Sequence, residues 1–176
     1  IVPVNMMTGE NQSEDYLAKN PLGKMPLLEL DDGTCIAESA AICRYLEEMN
    51  PNPPLMGRNP LEKALVEMWH RRMELEFLIP MITIFLHTGE MWKDRVTQIP
   101  QVAETGILNV KERMEWLDRE LDGKEFITGE DYTVADITAQ CAFVMAKAAL
   151  GLRIAEDQPK LSNWFTRVSS RPTARA

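Results

Sequence analysis

Cysteine and histidine are scarce in this sequence of 176 residues, which has three cysteines and two histidines. Cys35, Cys43 and Cys141 are widely spaced and form neither a C-x-x-C pair nor a Cys/His ligand spacing. The spacing therefore predicts no disulfide framework and no metal site. Because a free cysteine in an apolar stretch behaves as a small core residue, we expect three reduced, buried thiols in a cytoplasmic protein.

Long hydrophobic runs and blocks of like charge are also lacking. No window approaches the roughly 20 apolar residues that a transmembrane helix needs, and no signal-peptide pattern opens the chain. The net charge is −8, so neither a nucleic acid nor an anionic membrane is expected as a partner. A hydrophobic fraction of 45% and a charged fraction of 26% are ordinary for a globular protein with a real core.

The sequence does not begin with methionine but with "IVPVNM". This apolar run predicts a short strand over residues 1–6, in which Pro3 suits an edge position because proline cannot donate to a ladder. Either the N-terminus was processed or the sequence is part of a longer molecule, and we expect the second.

An α/β pattern follows this run. Ser13 is placed to cap a short helix over residues 14–19. Residues 27–30 and 34–37 are apolar strand candidates joined by Asp-Asp-Gly, which is a strong hairpin signal. Apolar residues then recur at helical spacing, which predicts a helix over residues 39–49.

Composition changes in the segment "NPNPPLMGRNP", residues 50–60, where five of eleven residues are glycine or proline. Such a segment is typical of a linker between domains. We therefore predict an α/β domain over residues 1–49, a linker over residues 50–59 and an all-helical domain over residues 60–176.

Two helix starts in the second domain have clear capping signals. Asn59 can cap a helix with Pro60 at its first position, and Glu62 lies three residues after the cap, as in a capping box. In "YTVADI", Thr133 is the expected cap and Asp136 lies three residues later. We assign Thr133 and Asp136 a structural role.

The second proline in "NPLGKMPLLEL", Pro26, has two interpretations. Pro26 at the start of a strand costs no ladder bond, which alone could explain it. Alternatively, the Met25–Pro26 peptide is cis and exposes the backbone of Met25 to a ligand, although only about 5–6% of X–Pro bonds are cis. The spacing alone does not decide between the two.

The pair Glu38-Ser39 also has two interpretations. At a strand-to-helix junction Ser39 is a natural N-cap and Glu38 a plausible acid near the helix start. The same geometry suits a ligand, because a helix N-terminus offers free N–H groups to an anion and Glu38 offers an acceptor to an ammonium group. The pair would then hold the carboxylate and amino group of an amino acid's α-end.

Taken together, the run N-P-x-G-x-x-P over residues 20–26, the Glu-Ser pair and the following "AAICRYLE" resemble the glutathione-binding half of a cytosolic glutathione transferase. The resemblance extends along the chain, since the linker and "YTVADI" are also similar to family features. It implies an incomplete thioredoxin-like α/β domain, then an all-α helical-bundle domain, in a homodimer.

The resemblance also implies roles for individual residues. Met25, before the family's cis-proline Pro26, would pair its backbone with the cysteinyl part of glutathione, and Glu38 and Ser39 would hold the γ-glutamyl end. Lys24 would meet the glycyl carboxylate, although a solvated lysine is an equally good interpretation.

The family's first strand and helix precede the strand that "IVPVNM" resembles, and they include the catalytic Ser, Tyr or Cys. We therefore expect the catalytic residue upstream of Ile1. His70 and His87 are expected to be structural. Three residues on the long helix are candidates for the pocket of the second substrate, although such a stripe is more often core: Trp69, Met73 and Phe77.

The expected activity is transfer of the glutathione thiolate to a small hydrophobic electrophile, with glutathione as co-substrate and no metal. The alternative is a module of the same fold that binds or assembles without catalysis, because a fold does not determine a function.

Overall fold

The computed structural model describes residues 1–175, and the chain divides into two compact units, Ile1–Pro54 and Leu55–Ala176. Within the described residues, no helix combines the length and the apolar character needed to cross a membrane. The predicted order of an α/β domain followed by a helical domain is confirmed.

The first unit begins with two short 3-10 turns, Met6–Thr8 and Glu10–Gln12. Its regular elements are helix α1 (Glu14–Lys19), strand β1 (Leu27–Glu29), strand β2 (Cys35–Ala37) and helix α2 (Ser39–Met49). Strands β1 and β2 form an antiparallel two-stranded sheet.

The strand predicted over residues 1–6 is wrong. Residues 1–5 have no regular structure, and the Asn5 side chain caps the first 3-10 turn by accepting hydrogen bonds from the N–H groups of Met7 and Thr8. A strand is stable only when another strand accepts its ladder bonds, and in the described part of the chain β1 and β2 pair with each other alone.

The hairpin and the short helix before it form as their local signals predict. The Ser13 hydroxyl accepts a hydrogen bond from the Tyr16 N–H and caps α1. At the tip of the hairpin, the Asp32 carboxylate accepts from the Thr34 N–H at 2.8 Å, and this bond lowers the pKa of Asp32. Gly33 there has a positive φ of 83°, which is the conformation for which a hairpin turn favours glycine.

The second unit is helical. It contains α3 (Pro60–Met73), a π-helical turn (Glu74–Leu78), α4 (Ile79–Thr88), a 3-10 turn (Glu90–Trp92), α5 (Pro100–Glu120), α6 (Val134–Met145), a second π-helical turn (Ala146–Leu150), α7 (Pro159–Ser169) and a final 3-10 turn (Pro172–Arg175).

Helix α6 lies at the centre of this unit. Ala135, Ala139 and Ala142 have no exposed surface, and such small residues allow neighbouring helices to approach closely. The large side chains of the core come from the surrounding helices, and among those that are fully buried are Met73, Phe77, Met81, Leu117 and Trp164.

Asp136, which is fully buried in the first turn of α6, connects three segments. One carboxylate oxygen accepts from the Ile127 N–H at 2.9 Å and from the Trp164 indole N–H at 2.8 Å. The other accepts from the Thr133 N–H at 3.0 Å and its hydroxyl at 3.3 Å, which completes the predicted capping box. Burial raises the pKa of Asp136, and these four hydrogen bonds oppose the shift.

The Asn59 cap is confirmed, but the box predicted around it differs in detail. The Asn59 side-chain oxygen Oδ1 accepts from the Glu62 N–H at 3.0 Å. The Glu62 carboxylate accepts from the Arg58 N–H at 2.9 Å and from the Asn59 side-chain amide at 2.8 Å, instead of from the Asn59 backbone.

The expectation that all three cysteines are buried is wrong. Cys43 and Cys141 are exposed and Cys35 is half-buried, and none of the three forms a disulfide within residues 1–175. Each has apolar neighbours in sequence, but the helical period places Cys43 and Cys141 on outer faces of α2 and α6.

Candidate functional site

The hairpin brings the two candidate segments together at one end of the first unit. Leu27 pairs with Ala37 in the antiparallel register. Pro26 precedes Leu27 and Glu38 follows Ala37, so both lie at the end of the hairpin opposite the Asp32-Gly33 turn. Because directly opposed residues in an antiparallel pair have Cα atoms about 4.5–5.5 Å apart, Met25-Pro26 and Glu38-Ser39 face a common space.

The Met25–Pro26 peptide is cis. The Met25 residue is 41% exposed, and Lys24 and Pro26 beside it are also exposed. Met25 therefore lies at the surface, next to the start of β1.

The loop before this peptide is held in place by side chains from the preceding helical segment. The Lys24 carbonyl accepts two hydrogen bonds, from the Asn20 side-chain amide at 2.7 Å and from the Tyr16 hydroxyl at 2.8 Å. The Gly23 carbonyl accepts from the Asn11 side-chain amide at 2.7 Å. Asn20 and Asn11 are both buried, with 4% and 8% of their surface exposed.

Sequence reasoning did not assign these positioning residues. Asn20 is the first residue of the N-P-x-G-x-x-P run, and a buried asparagine must satisfy its amide, so that its position in the run was a usable signal. For Asn11 and Tyr16 no local pattern indicated a partner, because their hydrogen bonds join residues eight to twelve positions apart.

Gly23 cannot be replaced without moving the loop. Its φ is +61°, and a Cβ atom built there would lie 2.3 Å from the Gln12 side-chain nitrogen and 2.9 Å from the Asn11 backbone oxygen. The Gln12 side chain could rotate away, but the Asn11 backbone could not.

We expect Gly23→Ala to destabilise the protein more than Gly33→Ala in urea unfolding. Both glycines have positive φ, which costs an alanine about 1–2 kcal/mol, but a Cβ at Gly33 would meet nothing within 4 Å. At Gly23 the contact with the Asn11 backbone adds about 1–3 kcal/mol, as overpacking typically does. Equal losses of unfolding free energy in the two variants would contradict this explanation.

Glu38 has an unusual backbone conformation. Among residues 1–175 it is the only non-glycine residue with positive φ, at 68° with ψ of 119°. It occupies the cap position of α2 without a side-chain capping bond, and Ser39 is the first helical residue. The prediction that Ser39 is the N-cap is therefore wrong, because the sharp turn from β2 into α2 falls on Glu38 itself.

The charged and polar side chains of this end are available to a ligand. Glu38, Ser39 and Lys24 are exposed, and no carboxylate in the described part of the chain pairs with Lys24. The first N–H groups of α2 have no acceptor within the helix, and the helix dipole makes this end favourable for an anion. The site thus combines one acidic group, one basic group, a hydroxyl and unpaired backbone donors.

Trp69, Met73 and Phe77 lie in the hydrophobic core of the helical unit. Met73 and Phe77 have no exposed surface, and Trp69 stacks on Trp116 with ring centroids 5.7 Å apart. Their burial agrees with the more common role of a Met and aromatic stripe on a helix.

The two histidines are placed in structural surroundings. His70 is buried on α3, with 5% of its surface exposed. The Nδ1 atom of His87 accepts a hydrogen bond from the Ile99 N–H at 3.1 Å, which ties the end of α4 to the start of α5.

Both units of the chain are similar to known proteins. A sequence model described as "Glutathione S-transferase, N-terminal domain" matches residues 1–48, and one described as "Glutathione S-transferase, C-terminal domain" matches residues 75–172. Glutathione S-transferase 2 of Saccharomyces cerevisiae is 33% identical over 177 aligned positions, which cover 99% of this chain and 75% of the yeast protein.

Two further similarities differ in extent. A crystal structure of a glutathione S-transferase domain-containing protein from Marinobacter aquaeolei has a TM-score of 0.93 and 37% identity, covering 98% of this chain and 85% of that one. Elongation factor 1-gamma of Rattus norvegicus is 32% identical over 168 positions, which cover 94% of this chain. The chain spans only 36% of the length of that factor.

Proposed function

The chain belongs to the glutathione S-transferase family, and we propose that it is a transferase that joins the sulfur of glutathione to a small hydrophobic electrophile. The observation that carries the proposal is the pairing of Leu27 with Ala37, which brings Met25-Pro26 and Glu38-Ser39 to one end of the hairpin. We place the glutathione site there.

The groups at this end complement the charges of glutathione. The Glu38 carboxylate would accept hydrogen bonds from the γ-glutamyl ammonium group. The Ser39 hydroxyl and the first N–H groups of α2 would donate to the neighbouring carboxylate, which a helix N-terminus favours. Met25 would pair its backbone with the cysteinyl part, and Lys24 would attract the glycyl carboxylate.

The side chains of Tyr16 and Asn20 fix the position of Met25 in this proposal. With the Lys24 carbonyl held by two donors, the peptide between Lys24 and Met25 has one orientation. The Met25 backbone groups are then arranged before the tripeptide arrives, which reduces the entropy lost on binding.

The reaction also requires an activated thiol. A free thiol has a pKa of about 8.5, and its thiolate is the nucleophile. A group that donates a hydrogen bond to the sulfur favours the thiolate, and each pKa unit corresponds to about 1.4 kcal/mol. In this proposal the donor is a Ser, Tyr or Cys upstream of Ile1.

The proposal is tested by assaying the full-length protein for glutathione conjugation with an activated aryl halide. We expect a rate that saturates with glutathione and rises with pH as the bound thiol ionises. A protein that binds glutathione but shows no rate above the uncatalysed reaction would contradict transfer to this electrophile class while leaving the binding site intact.

A second candidate function is a non-catalytic module of the same fold. The 32% identity to elongation factor 1-gamma favours it, since that similarity covers nearly the whole chain. Glutathione binding distinguishes the two functions, because an assembly module has no physical need of Glu38, Ser39 and Met25-Pro26. Absence of saturable glutathione binding at millimolar concentration would favour the module.

We also propose a homodimer in which α2 of one protomer packs on the long helix of its partner. This long helix is the continuous helical segment formed by α3, the π-helical turn and α4. It exposes apolar residues at helical spacing, a set we call the apolar stripe: Leu61, Leu65, Met68, Leu75, Ile79 and Ile82. Helix α2 exposes Leu46 and Met49. Exposed apolar patches on monomeric proteins are usually small, so that a stripe of this length favours a covered interface.

We expect light scattering at micromolar protein to give twice the chain mass. Leu65→Glu in the apolar stripe should give the mass of one chain, because a charge would then be buried without a partner. Val144→Glu on α6 is the control, since Val144 is similarly exposed at 49% but lies outside the stripe. A monomeric mass for the unmodified protein would refute the dimer.

In this account the protein works in the cytoplasm, removing reactive electrophiles with glutathione as co-substrate and without a metal. Cys43 and Cys141 are exposed and form no disulfide in the described part of the chain, which is compatible with a reducing compartment.

A further inference from the structure

A small pocket lies within the helical unit, where the end of α6 meets the start of α7. Its volume is about 200 Å³. Its apolar lining comes from Phe143, Leu152, Ile154 and Phe165. The rings of Phe143 and Phe165 have centroids 6.0 Å apart, and Phe143 also contacts Trp164 in the core, so the floor of the pocket is aromatic and well supported.

The loop that forms one wall is held at both ends. Gly151 has a positive φ of 65° and ends the π-helical turn, after which the Leu152 N–H donates to the Ala146 carbonyl at 3.1 Å. At the other end, the Gln158 side chain accepts from the Ala155 N–H at 3.3 Å, and Gln158 is buried. The wall is therefore a defined structure in which Leu152 and Ile154 pack against the core.

The remaining lining residues are polar: Lys147, Arg153 and Ser162. Neither Lys147 nor Arg153 forms an ion pair with a carboxylate among residues 1–175, although many other cations of this acidic chain do. On α7, for example, the Lys160 ammonium pairs with Asp122 at 2.8 Å. Glu156 and Asp157 are in the same loop, but they do not line the pocket.

We propose that this pocket binds a small aromatic anion, with a single ring on the apolar floor and a carboxylate between Lys147 and Arg153. A cavity of about 150 Å³ lined by Leu, Ile and Phe side chains holds a benzene molecule, so the pocket can accommodate one ring and a small substituent. An inorganic anion would leave the aromatic floor uncovered, and a neutral ring would leave both cations without a partner.

The test is a calorimetric titration of the full-length protein with benzoate. We expect saturable binding with a Kd on the order of 1 mM, which suits a ligand of so few atoms. Acetate, which lacks the ring, and benzyl alcohol, which lacks the charge, should each bind at least tenfold more weakly. Bound glutathione should leave the benzoate affinity unchanged, so failure of this proposal is distinct from failure of the glutathione site.

Two variants locate the site. The double variant Lys147→Gln/Arg153→Gln should weaken benzoate at least tenfold, whereas Lys111→Gln, the same change at an exposed position on α5, should have no effect. Ser162 is an exposed residue of α7. The substitution Ser162→Leu should fill the pocket and abolish benzoate binding without changing the free energy of unfolding. The proposal would be overturned if benzoate showed no saturable binding at millimolar concentration, or if both pocket variants bound benzoate as tightly as the unmodified protein.

Discussion

Glu38→Gln is expected to weaken glutathione binding about 10- to 100-fold without unfolding the protein. A hydrogen bond to a charged group contributes about 1.5–3 kcal/mol, and each 1.4 kcal/mol is a factor of about ten in Kd. Glutamine keeps the size and an acceptor oxygen but loses the negative charge that attracts the ammonium group. Because Glu38 is exposed and has no side-chain capping bond, the substitution should change the free energy of unfolding of the protein little.

The same hairpin provides the control. Asp31 is an exposed carboxylate near the other end of the hairpin, beside the Asp32-Gly33 turn, so Asp31→Asn changes the net charge equally without touching the site. Its Kd should equal that of the unmodified protein. If both variants weaken glutathione to the same extent, a general charge effect would replace the local contact at Glu38.

The backbone of Glu38 allows a second comparison. A non-glycine residue in a sparsely populated conformation costs about 1–3 kcal/mol, so Glu38→Gly should raise the free energy of unfolding although it removes the carboxylate and hence the binding. A variant that is more stable and binds less would indicate that the strain at Glu38 is retained for function. Lower stability on this substitution would contradict that interpretation.

Asp136→Ala is expected to lower the free energy of unfolding by about 3–5 kcal/mol, as losing one partner of a buried charged network typically does. Three buried N–H groups, from Ile127, Thr133 and the Trp164 indole, would lose their acceptor, and each unsatisfied buried donor costs about 1–3 kcal/mol. Urea unfolding followed by tryptophan fluorescence measures the effect.

Two variants calibrate this result. Asp136→Asn should cost less, because the amide oxygen can still accept from Ile127 and Trp164, while the amide nitrogen would oppose the Thr133 N–H. Asp157→Ala, an exposed acid of the same unit, should change stability by no more than about 0.5 kcal/mol. A loss below about 1 kcal/mol for Asp136→Ala would mean that water satisfies these donors.

Features set by neighbouring residues could be predicted from the sequence. The hairpin tip at Asp32-Gly33, the Ser13 cap and the box of Thr133 and Asp136 all depend on contacts within a few positions, and the structure contains each of them. The sequence could not show that the Asp136 carboxylate also accepts from Trp164, because that residue is 28 positions away.

Features that depend on distant partners could not be predicted. The apolar run over residues 1–6 suits a strand, but a strand needs a partner strand, and in the described residues Asn5 instead caps a 3-10 turn. The stripe of Trp69, Met73 and Phe77 suits either a core or a pocket, and its burial depends on helices that are distant in the sequence.

The candidate site could be predicted only in part. Its residues could be selected from the sequence because the motif and the hairpin register are local. The hydrogen bond from Asn11 to Gly23 spans twelve positions, so neither it nor the positive φ of Glu38 has a local sequence signal. The exposure of the Glu38 side chain likewise depends on the turn at that residue.

The most direct test of the central claim is a titration of the ¹⁵N-labelled full-length protein with glutathione, followed by amide chemical shifts. We expect saturable shifts at millimolar glutathione or below, with the largest changes at the amides of Met25, Glu38 and Ser39 and small ones at Asp31. Saturable shifts confined to other parts of the chain, or no saturation at millimolar glutathione, would contradict a tripeptide site at this end of the hairpin.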